Sequence, residues 1–456
     1  MRDGRILLPA NIPMRTNIQG SIWFSFYRFL VLLPLLVAVV FRAAGGSRGF
    51  VLELAVACGF VGLAIVAFEF ALVARLKVVA GAFGQDALQQ FHKQIGYASL
   101  LFLCAHPLLL LVRGYPAQML NPMDSATPWM WRSGVISFYL LIVLIVLSAG
   151  RRRLRISYEW WQFSHQLLAP TVLLLALIHI FTVAGFTGTP AMKALWIAYG
   201  AGVLAITVYH RVLMPLKSWR RPWQVVRNVA EHGHSHTLVL RPVRHAGLNF
   251  EPGQFAWLNM GDTPFHREEH PVSFSSSAEI QPGGEVAFTI KALGDWSSTV
   301  VPEIAPGTNL WLDGPYGVFT PDREQGPGFV FLGGGVGITP LYSMCLTLAD
   351  REDVRPVYLF YGSRDFEELT FHEEFDRLAA RMNLKIVYVL EQGCEGWQGE
   401  TGLIDAGLLR RHLPKQYRRY QYFVCGPLPM MDAMEKILPP MGIPAEQIHT
   451  ERFDIV

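Results

Sequence analysis

Four histidines fall into two equal pairs. His92 and His106 stand 14 residues apart in one long apolar run, and His165 and His179 stand 14 apart in another. On an α-helix that spacing is just under four turns, so both members of a pair share nearly one face, about 21 Å apart along the axis. Two such helices running in the same direction set His92 against His165 at one level and His106 against His179 at the other. Each level then offers two imidazoles with no nearby carboxylate or thiolate, a ligand set that suits haem iron better than zinc or copper. A single histidine in a membrane is usually a polar group satisfied by its neighbours. Two matched pairs point to function, because ionisable groups in lipid are costly. Cys104 has no counterpart on the second helix and reads as core.

A second constellation lies in FVFLGGGVGITPLYSM, where Gly333, Gly334, Gly335 and Gly337 follow a strand-like run and precede a helical one, with Thr339 in the next turn. Glycines there let backbone approach a pyrophosphate, and a helix N-terminus supplies N–H donors and a favourable dipole. By contrast, His232, His234 and His236 alternate like metal ligands but lead directly into the strand-like run Thr237 to Leu240, and read as the surface of a strand edge.

The elements that must hold these residues differ along the chain. Of 456 residues, 51% are hydrophobic and only 16% charged, too apolar for an ordinary soluble protein. A bilayer core needs roughly 20 apolar residues per helix, and six runs qualify: Ile22 to Phe41, Phe50 to Val73, Phe91 to Val112, Trp131 to Ala149, Phe163 to Phe186 and Ala191 to Met214. Six spans put both termini on one side. Arg75, Lys77, Lys93, Arg151 to Arg153, Arg155, Arg211, Lys217, Arg220 and Arg221 fall on that side, against Arg42, Arg48, Arg113, Arg132 and Lys193 opposite. The positive-inside rule therefore places the termini in the cytoplasm, in a bacterial-type inner or plasma membrane. The opening MRDGRILLPANIPMR lacks the pattern of a cleaved signal, so the first span is expected to be retained.

After Trp219, short β-rich runs such as Phe255 to Asn259 and Val286 to Lys291, separated by Gly and Pro turns, suggest a small antiparallel barrel. From Gly328, strands at Phe329 to Leu332, Val357 to Tyr361, Lys385 to Leu390 and Tyr422 to Cys425 alternate with helical segments, as in a doubly wound parallel α/β sheet. The expected domains are 1–216 (six-helix transmembrane bundle), 217–326 (antiparallel β-barrel) and 327–456 (α/β nucleotide domain). Five scattered cysteines without CxxC spacing argue against a disulfide framework or zinc site and suit a reducing cytoplasm. A net charge of +3, with dispersed basic residues, gives no ground for a nucleic-acid partner.

The later motifs occur in a telling order. The segment HPVSFSSS is followed by KALGDWSS, DGPYG, the glycine run, YGSRDFEEL, CGPLPMM and ERFDIV. With these, the soluble half resembles the ferredoxin-NADP reductase superfamily. The whole chain resembles the NADPH oxidase and ferric reductase family, in which that reductase follows a six-helix, two-haem membrane domain. The likeness covers roughly Phe91 to Val456. It implies that His270, Pro271, Ser273 and Phe274 line FAD, with Ser275 and Ser276 nearby. It further implies that Gly294, Asp295, Trp296 and Ser297 cradle the FAD diphosphate, and that Asp313 to Gly317 link into the nucleotide domain. Ser363 and Arg364 match the positions that receive an adenosine 2′-phosphate, which favours NADPH with NADH possible; Arg suits a bidentate phosphate contact. Cys425, Gly426 and Pro427 match the turn beside the nicotinamide. Phe453 matches a terminal aromatic that covers the flavin, although three residues follow it here.

A nicotinamide delivers two electrons as hydride and haem iron takes one at a time, so a flavin must stand between them. The expected path is NADPH, FAD, the haem b of His92 and His165, the haem b of His106 and His179, then an acceptor on the outer face. The short external loops, Gly114 to Met130 among them, leave the acceptor open between oxygen giving superoxide, a ferric chelate and an outer-face acceptor protein, with oxygen preferred.

Overall fold

The computed structural model describes residues 18–41, 48–125, 127–183, 185–266 and 268–453; MRDGRILLPANIPMR, Arg42 and Asp454 to Val456 lie outside the described residues. Its chain divides into two compact units.

The first is a helical bundle. In lipid no water satisfies a backbone amide, so each apolar run closes its own hydrogen bonds as a helix. Along the chain as far as Trp219 the helices are α1 (Ile18–Val40), α2 (Phe50–Val73), the short α3 (Lys77–Phe83), α4 (Gln85–Val112), α5 (Trp129–Gly150), α6 (Tyr158–Val183) and α7 (Pro190–Val208), which runs through a wider turn into α8 (Met214–Trp219). Most of α3 is counted with the second unit, and α8 is the first helix of that unit's main segment. Six of these segments are long and apolar enough to cross a membrane, the last running from Pro190 to Trp219. Helix α4 starts six residues before the expected Phe91. The polar residues Gln85, Asp86, Gln89 and Gln90 tolerate a helix beyond the hydrocarbon, and Asp86 in the first turn complements the helix dipole. Helix α6 stops at Val183, short of Phe186. Thr189 caps α7 by accepting from the N–H of Met192 at 3.3 Å, with Pro190 at the first helical position, where its missing N–H costs nothing.

Helix α2 is apolar apart from Glu53 and Glu69, and half of its central stretch is buried, more than in any other span, as expected of a helix with neighbours all round. Phe60 on α2 and Tyr199 on α7 pack at 5.9 and 5.5 Å against the ring of Trp196, which is wholly buried. Ser137 on α5 donates to the carbonyl of Val172 on α6 at 2.7 Å. That bond ties the two helices together where no water competes for it.

The second unit comprises Ala80–Asp86 with the described residues from Arg211 onward. Strands β1 (Trp223–Glu231), β2 (Ser235–Pro242), β3 (Phe255–Asn259), β4 (Glu269–Ser273), β5 (Val286–Lys291) and β6 (Asn309–Tyr316) pair antiparallel in the order β4-β3-β6-β1-β2-β5. A bridge between Phe274 and Phe288 joins the two edges and closes the sheet into a barrel, which removes the exposed edges. Its interior is filled by Trp223, Leu238, Leu258, Phe274 and Phe288.

The remaining strands are β7 (Phe329–Gly334), β8 (Val357–Ser363), β9 (Leu384–Leu390), β10 (Glu400–Thr401), β11 (Gln421–Cys425) and β12 (Ile448–Glu451), all parallel in the order β10-β9-β8-β7-β11-β12. Alternate residues of β7 enter two cores. Phe329 and Phe331 pack with α9 (Ile338–Asp350) and α10 (His372–Ala379), while Val330 and Leu332 pack with α11 (Ala406–His412) and α12 (Leu428–Ile437). Helices therefore cover both faces, which accounts for the near-continuous apolar strands. The strand order reverses between β7 and β11, the position where such sheets open a crevice at their carboxyl ends.

Candidate functional site

Helices α4 and α6 bring both histidine pairs into register. The ring centroids of His92 and His165 lie 6.2 Å apart and those of His106 and His179 lie 6.5 Å apart, with interplanar angles of 70° and 73°. Two metal–imidazole bonds of about 2 Å each, plus the reach from nitrogen to ring centre on both sides, need roughly 6 Å. Every Nδ1 is engaged by a partner. His106 Nδ1 donates to the carbonyl of Ala55 at 2.7 Å and His179 Nδ1 to that of Met130 at 2.9 Å. His165 Nδ1 meets the hydroxyl of Ser148 at 3.2 Å, and that hydroxyl donates onward to Leu144. His92 Nδ1 meets the carboxylate of Glu69. Anchored in this way, each ring keeps Nε2 as its ligand atom.

Three features of this site escaped the sequence reading. The first corrects it: a carboxylate, Glu69, does stand beside the pair at His92. The second is glycine. A Cβ on Gly59 would come within 3.1 Å of the His106 ring, and one on Gly134 within 2.7 Å of the His179 ring, so both helix backbones are cut back where an imidazole sits. The third is a cavity of about 490 Å³, lined by His106, His179, Gly59, Gly134, Phe138 and Leu141 among others. Arg48 brings a cation to its wall, donating to the carbonyl of Gly185 at 2.6 Å and lying 4.5 Å over the Phe186 ring. Opposed imidazoles on an apolar slot of this size fit a haem.

In the barrel, His270 stacks on Trp296 with ring centroids 3.7 Å apart and planes 11° from parallel. Its Nε2 and the hydroxyl of Ser273 are both buried without a hydrogen-bond partner among the described residues. Buried polar atoms are rarely left so, and two orphans on one short strand suit a polar ring system such as a flavin. Phe274 corrects the sequence reading. It is fully buried in the barrel core, stacked on Phe250 at 3.9 Å, because strand alternation sends it to the face opposite Ser273. Ser275 accepts from Thr289, and Ser276 accepts from the N–H of Ala287, so both serve the barrel. The Ser297 hydroxyl accepts from the N–H groups of Leu293 and Gly294, both at 2.9 Å. It shapes the turn of Gly294 and Asp295 and is satisfied within it. Pro271 lies on β4, paired with Trp257.

Burial lowers the His270 pKa to about 4. A folded value below the unfolded one makes stability fall as pH drops through the window from about 6.5 to about 4, where the unfolded chain binds the proton first. The barrel is therefore expected to unfold at lower temperature at pH 5 than at pH 7. Substituting His270 with asparagine is expected to flatten that dependence, read from the melting of the reductase half at both pH values.

At the crevice, backbone packs on backbone. A Cβ on Gly337 would overlap the carbonyl group of Cys425; one on Gly334 would lie 2.6 Å from the Met430 sulfur, and one on Gly426 3.2 Å from the N of Gly334. Gly333 carries α9 close over β7, where a Cβ would be 3.0 Å from Ile338. Gly335 takes φ +51°, and Pro427 stands beside these loops. The Thr339 hydroxyl, buried at the start of α9, has no partner among the described residues and suits a phosphate oxygen. Ser363 ends β8 and is buried; Arg364 bonds Glu368 at 2.5 Å while 69% of its side chain stays exposed. Lys291 of the barrel also pairs with Glu368.

Cys425 pairs in register with Glu451 across β11 and β12, and the sequence reading passed over Glu451 for its neighbour Phe453. Burial pushes the Glu451 carboxyl well up, reinforced by Asp86; burial, then Glu451 and Asp86, raise the Cys425 thiol. Glu451 Oε2 has no hydrogen-bond partner among the described residues. Phe453 leaves 36% of its surface exposed. Of the alternating histidines, His234 occupies the left-handed turn between β1 and β2, and His236 Nδ1 bonds Asn228 at 3.0 Å.

Two family likenesses divide along the same line. Residues 58–176 match the ferric reductase like transmembrane component, and residues 331–436 match the oxidoreductase NAD-binding domain. The chain has the architecture of the NADPH oxidase and ferric reductase family. Within it, the membrane match spans His92, His106 and His165, and the nucleotide match spans the glycine run through CGPLPMM. The reductase component of propane 2-monooxygenase from Rhodococcus jostii is 30% identical over 224 residues, 48% of this chain and 59% of that protein. The flavohemoprotein of Bordetella pertussis is 30% identical over 247 residues, 51% and 60% of the two chains. NADH-cytochrome b5 reductase 1 of Candida albicans is 34% identical over 139 residues, 30% and 47%. The chain thus spans about six-tenths of the first relative's length.

Proposed function

We propose that this chain carries electrons across the membrane from cytoplasmic NADPH to an outer acceptor, with oxygen giving superoxide as the first choice. The observation that carries the reading is the paired imidazoles, each with Nδ1 anchored and Nε2 left for iron, in the same chain as a nucleotide crevice and a barrel with orphaned polar atoms. FAD held there would supply the conversion between the two-electron hydride of a nicotinamide and the single electrons that haem iron accepts. The chain's residues do the positioning. Gly334, Gly335, Gly337 and Thr339 hold the pyrophosphate at the start of α9, and Ser363 and Arg364 hold the adenosine end. Cys425 and the buried Glu451 would wall the nicotinamide, with Phe453 assigned to the outer flavin face. His270, Pro271, Ser273 and Trp296 would hold the flavin ring, and the Gly294 to Ser297 turn its diphosphate.

His92 with His165, then His106 with His179, would hold two haem b groups in the order the path requires. The basic residues on the side of Arg151 to Arg153 place both termini and the reductase half in the cytoplasm, of a bacterial-type inner membrane. Outward electron transfer then moves charge through the membrane field, about 2.3 kcal/mol per 100 mV for a full crossing.

A second reading keeps the path and changes the acceptor to a ferric chelate, favoured by the likeness of residues 58–176 to the ferric reductase like component. An outer-face protein acceptor is the third. The deciding experiment uses the purified chain in detergent under anaerobic NADPH, recording reduced-minus-oxidised spectra and quantifying haem and FAD. Oxygen is then admitted with and without superoxide dismutase and a superoxide-reporting dye. Haem reoxidation with dismutase-sensitive signal supports the oxidase; haem that stays reduced until ferric chelate is added supports the metalloreductase. Absence of haem overturns the proposal.

Arg364→Ala is expected to raise the KM for NADPH by about 10- to 100-fold, the worth of one or two charge-assisted bonds, and to leave the KM for NADH nearly unchanged. Equal shifts for the two nucleotides would remove Arg364 from the 2′-phosphate site.

A further inference from the structure

The four Nδ1 partners are not alike. Ala55 and Met130 offer carbonyls, Ser148 a hydroxyl, and Glu69 alone a carboxylate. Glu69 belongs to the central helix α2 and is 9% exposed. Its Oε2 holds His92, while Oε1 has no hydrogen-bond partner among the described residues. Gly96, one turn beyond His92 on α4, lies beside that oxygen, which a Cβ there would meet at 3.6 Å. An acidic group this deep among apolar helices is expensive unless it is paired, and the atom it pairs with is the outer nitrogen of a haem-ligating imidazole.

We infer that Glu69 is a potential-setting residue, and that it makes the haem of His92 and His165 the lower-potential centre of the two. This rests on the di-haem reading above. A carboxylate accepting the Nδ1 proton gives the imidazole imidazolate character and makes it a stronger donor to iron. Ferric bis-imidazole haem carries one more positive charge than ferrous haem. A nearby negative charge in a low-dielectric interior stabilises the ferric form over the ferrous. Both effects act in the same direction and lower the midpoint potential. His106 and His179, held by neutral carbonyls, lack them. Electrons entering at the His92 level then move to the His106 level downhill, and the direction of transfer is written into the axial-ligand partners. Glu69 touches neither iron nor substrate; it acts through His92.

The test is anaerobic spectroelectrochemical titration of the full-length chain in detergent, comparing wild type, Glu69→Gln and Glu69→Asp, with haem content and the low-spin bis-histidine spectrum recorded for each. Wild type is expected to show two one-electron midpoints. In Glu69→Gln the lower one should rise by at least a tenfold change in the reduction equilibrium, about 59 mV for a one-electron couple, with the upper one and the haem content unchanged. Glu69→Asp, which keeps the charge, should stay nearer to wild type. A lower midpoint that does not move in Glu69→Gln while both haems are retained overturns the inference. So does loss of haem from both variants, which would make Glu69 a packing residue. Wild-type protein without bis-histidine haem would instead sink the electron-transfer reading on which the inference stands.

Discussion

Replacing His179 with alanine is expected to halve the haem content of the purified protein and to lower NADPH-driven transfer to the outer acceptor by at least about 100-fold. NADPH oxidation by a soluble dye that takes electrons from the reductase half should be retained. The argument is geometric. His179 is held by Met130, faces His106 at a ring separation of 6.5 Å, and fills the space that Gly134 leaves. Without it His106 has no opposing imidazole, and the apolar cavity cannot replace a lost ligand. Pigment analysis together with the two rates checks the prediction. Unchanged haem with unchanged outward transfer would mean that the pair does not hold iron.

The second large effect is expected from Gly337→Ala. Gly337 has an ordinary φ of −63°, so backbone freedom is not the reason glycine stands there. The reason is space, since an added methyl would overlap the backbone of Cys425 and Gly426. Backbone has no flexible end that can swing aside. The clash would force the start of α9 away from β11, at a cost of about 3 kcal/mol. For a reductase half of this size that corresponds to a melting temperature lower by roughly 6–10 °C. Nucleotide affinity should fall by about 100-fold or more, because the crevice walls are the parts displaced. Calorimetry and nucleotide titration on the variant check both numbers, and the haem spectrum should be untouched.

Much of this molecule was legible in one dimension. Hydropathy marked six spans within a few residues, since a helix in lipid has no alternative way to satisfy its amides. The equal spacing of His92 to His106 and His165 to His179 carried the imidazole levels, because a helix converts residue number directly into height and angle. Alternating strand and helix signals after Gly328 marked the parallel sheet, and the glycine run marked its turn. Where the reading went astray, local pattern was the wrong guide. Phe274 sits inside a flavin-like motif, yet strand alternation and the bridge to Phe288 commit it to the core. The fold also adds what the motif does not carry: the Ser297 hydroxyl is bound within its own turn.

What the sequence determined by itself is therefore everything that period and hydropathy encode: the number of spans, the heights of the four histidines, the two sheet types and the order of the binding motifs. Only the tertiary structure decided which atoms meet. Glu69 reaches His92 from another helix, Gly59 and Gly134 clear room for imidazoles borne on α4 and α6, and Glu451 enters the crevice because β12 pairs with β11. These contacts join residues distant in sequence, and neither a lone carboxylate nor a lone glycine carries any local signal of its partner. Packing in three dimensions sets them, and they are what turns two rows of histidines and a glycine loop into centres with distinct chemistry.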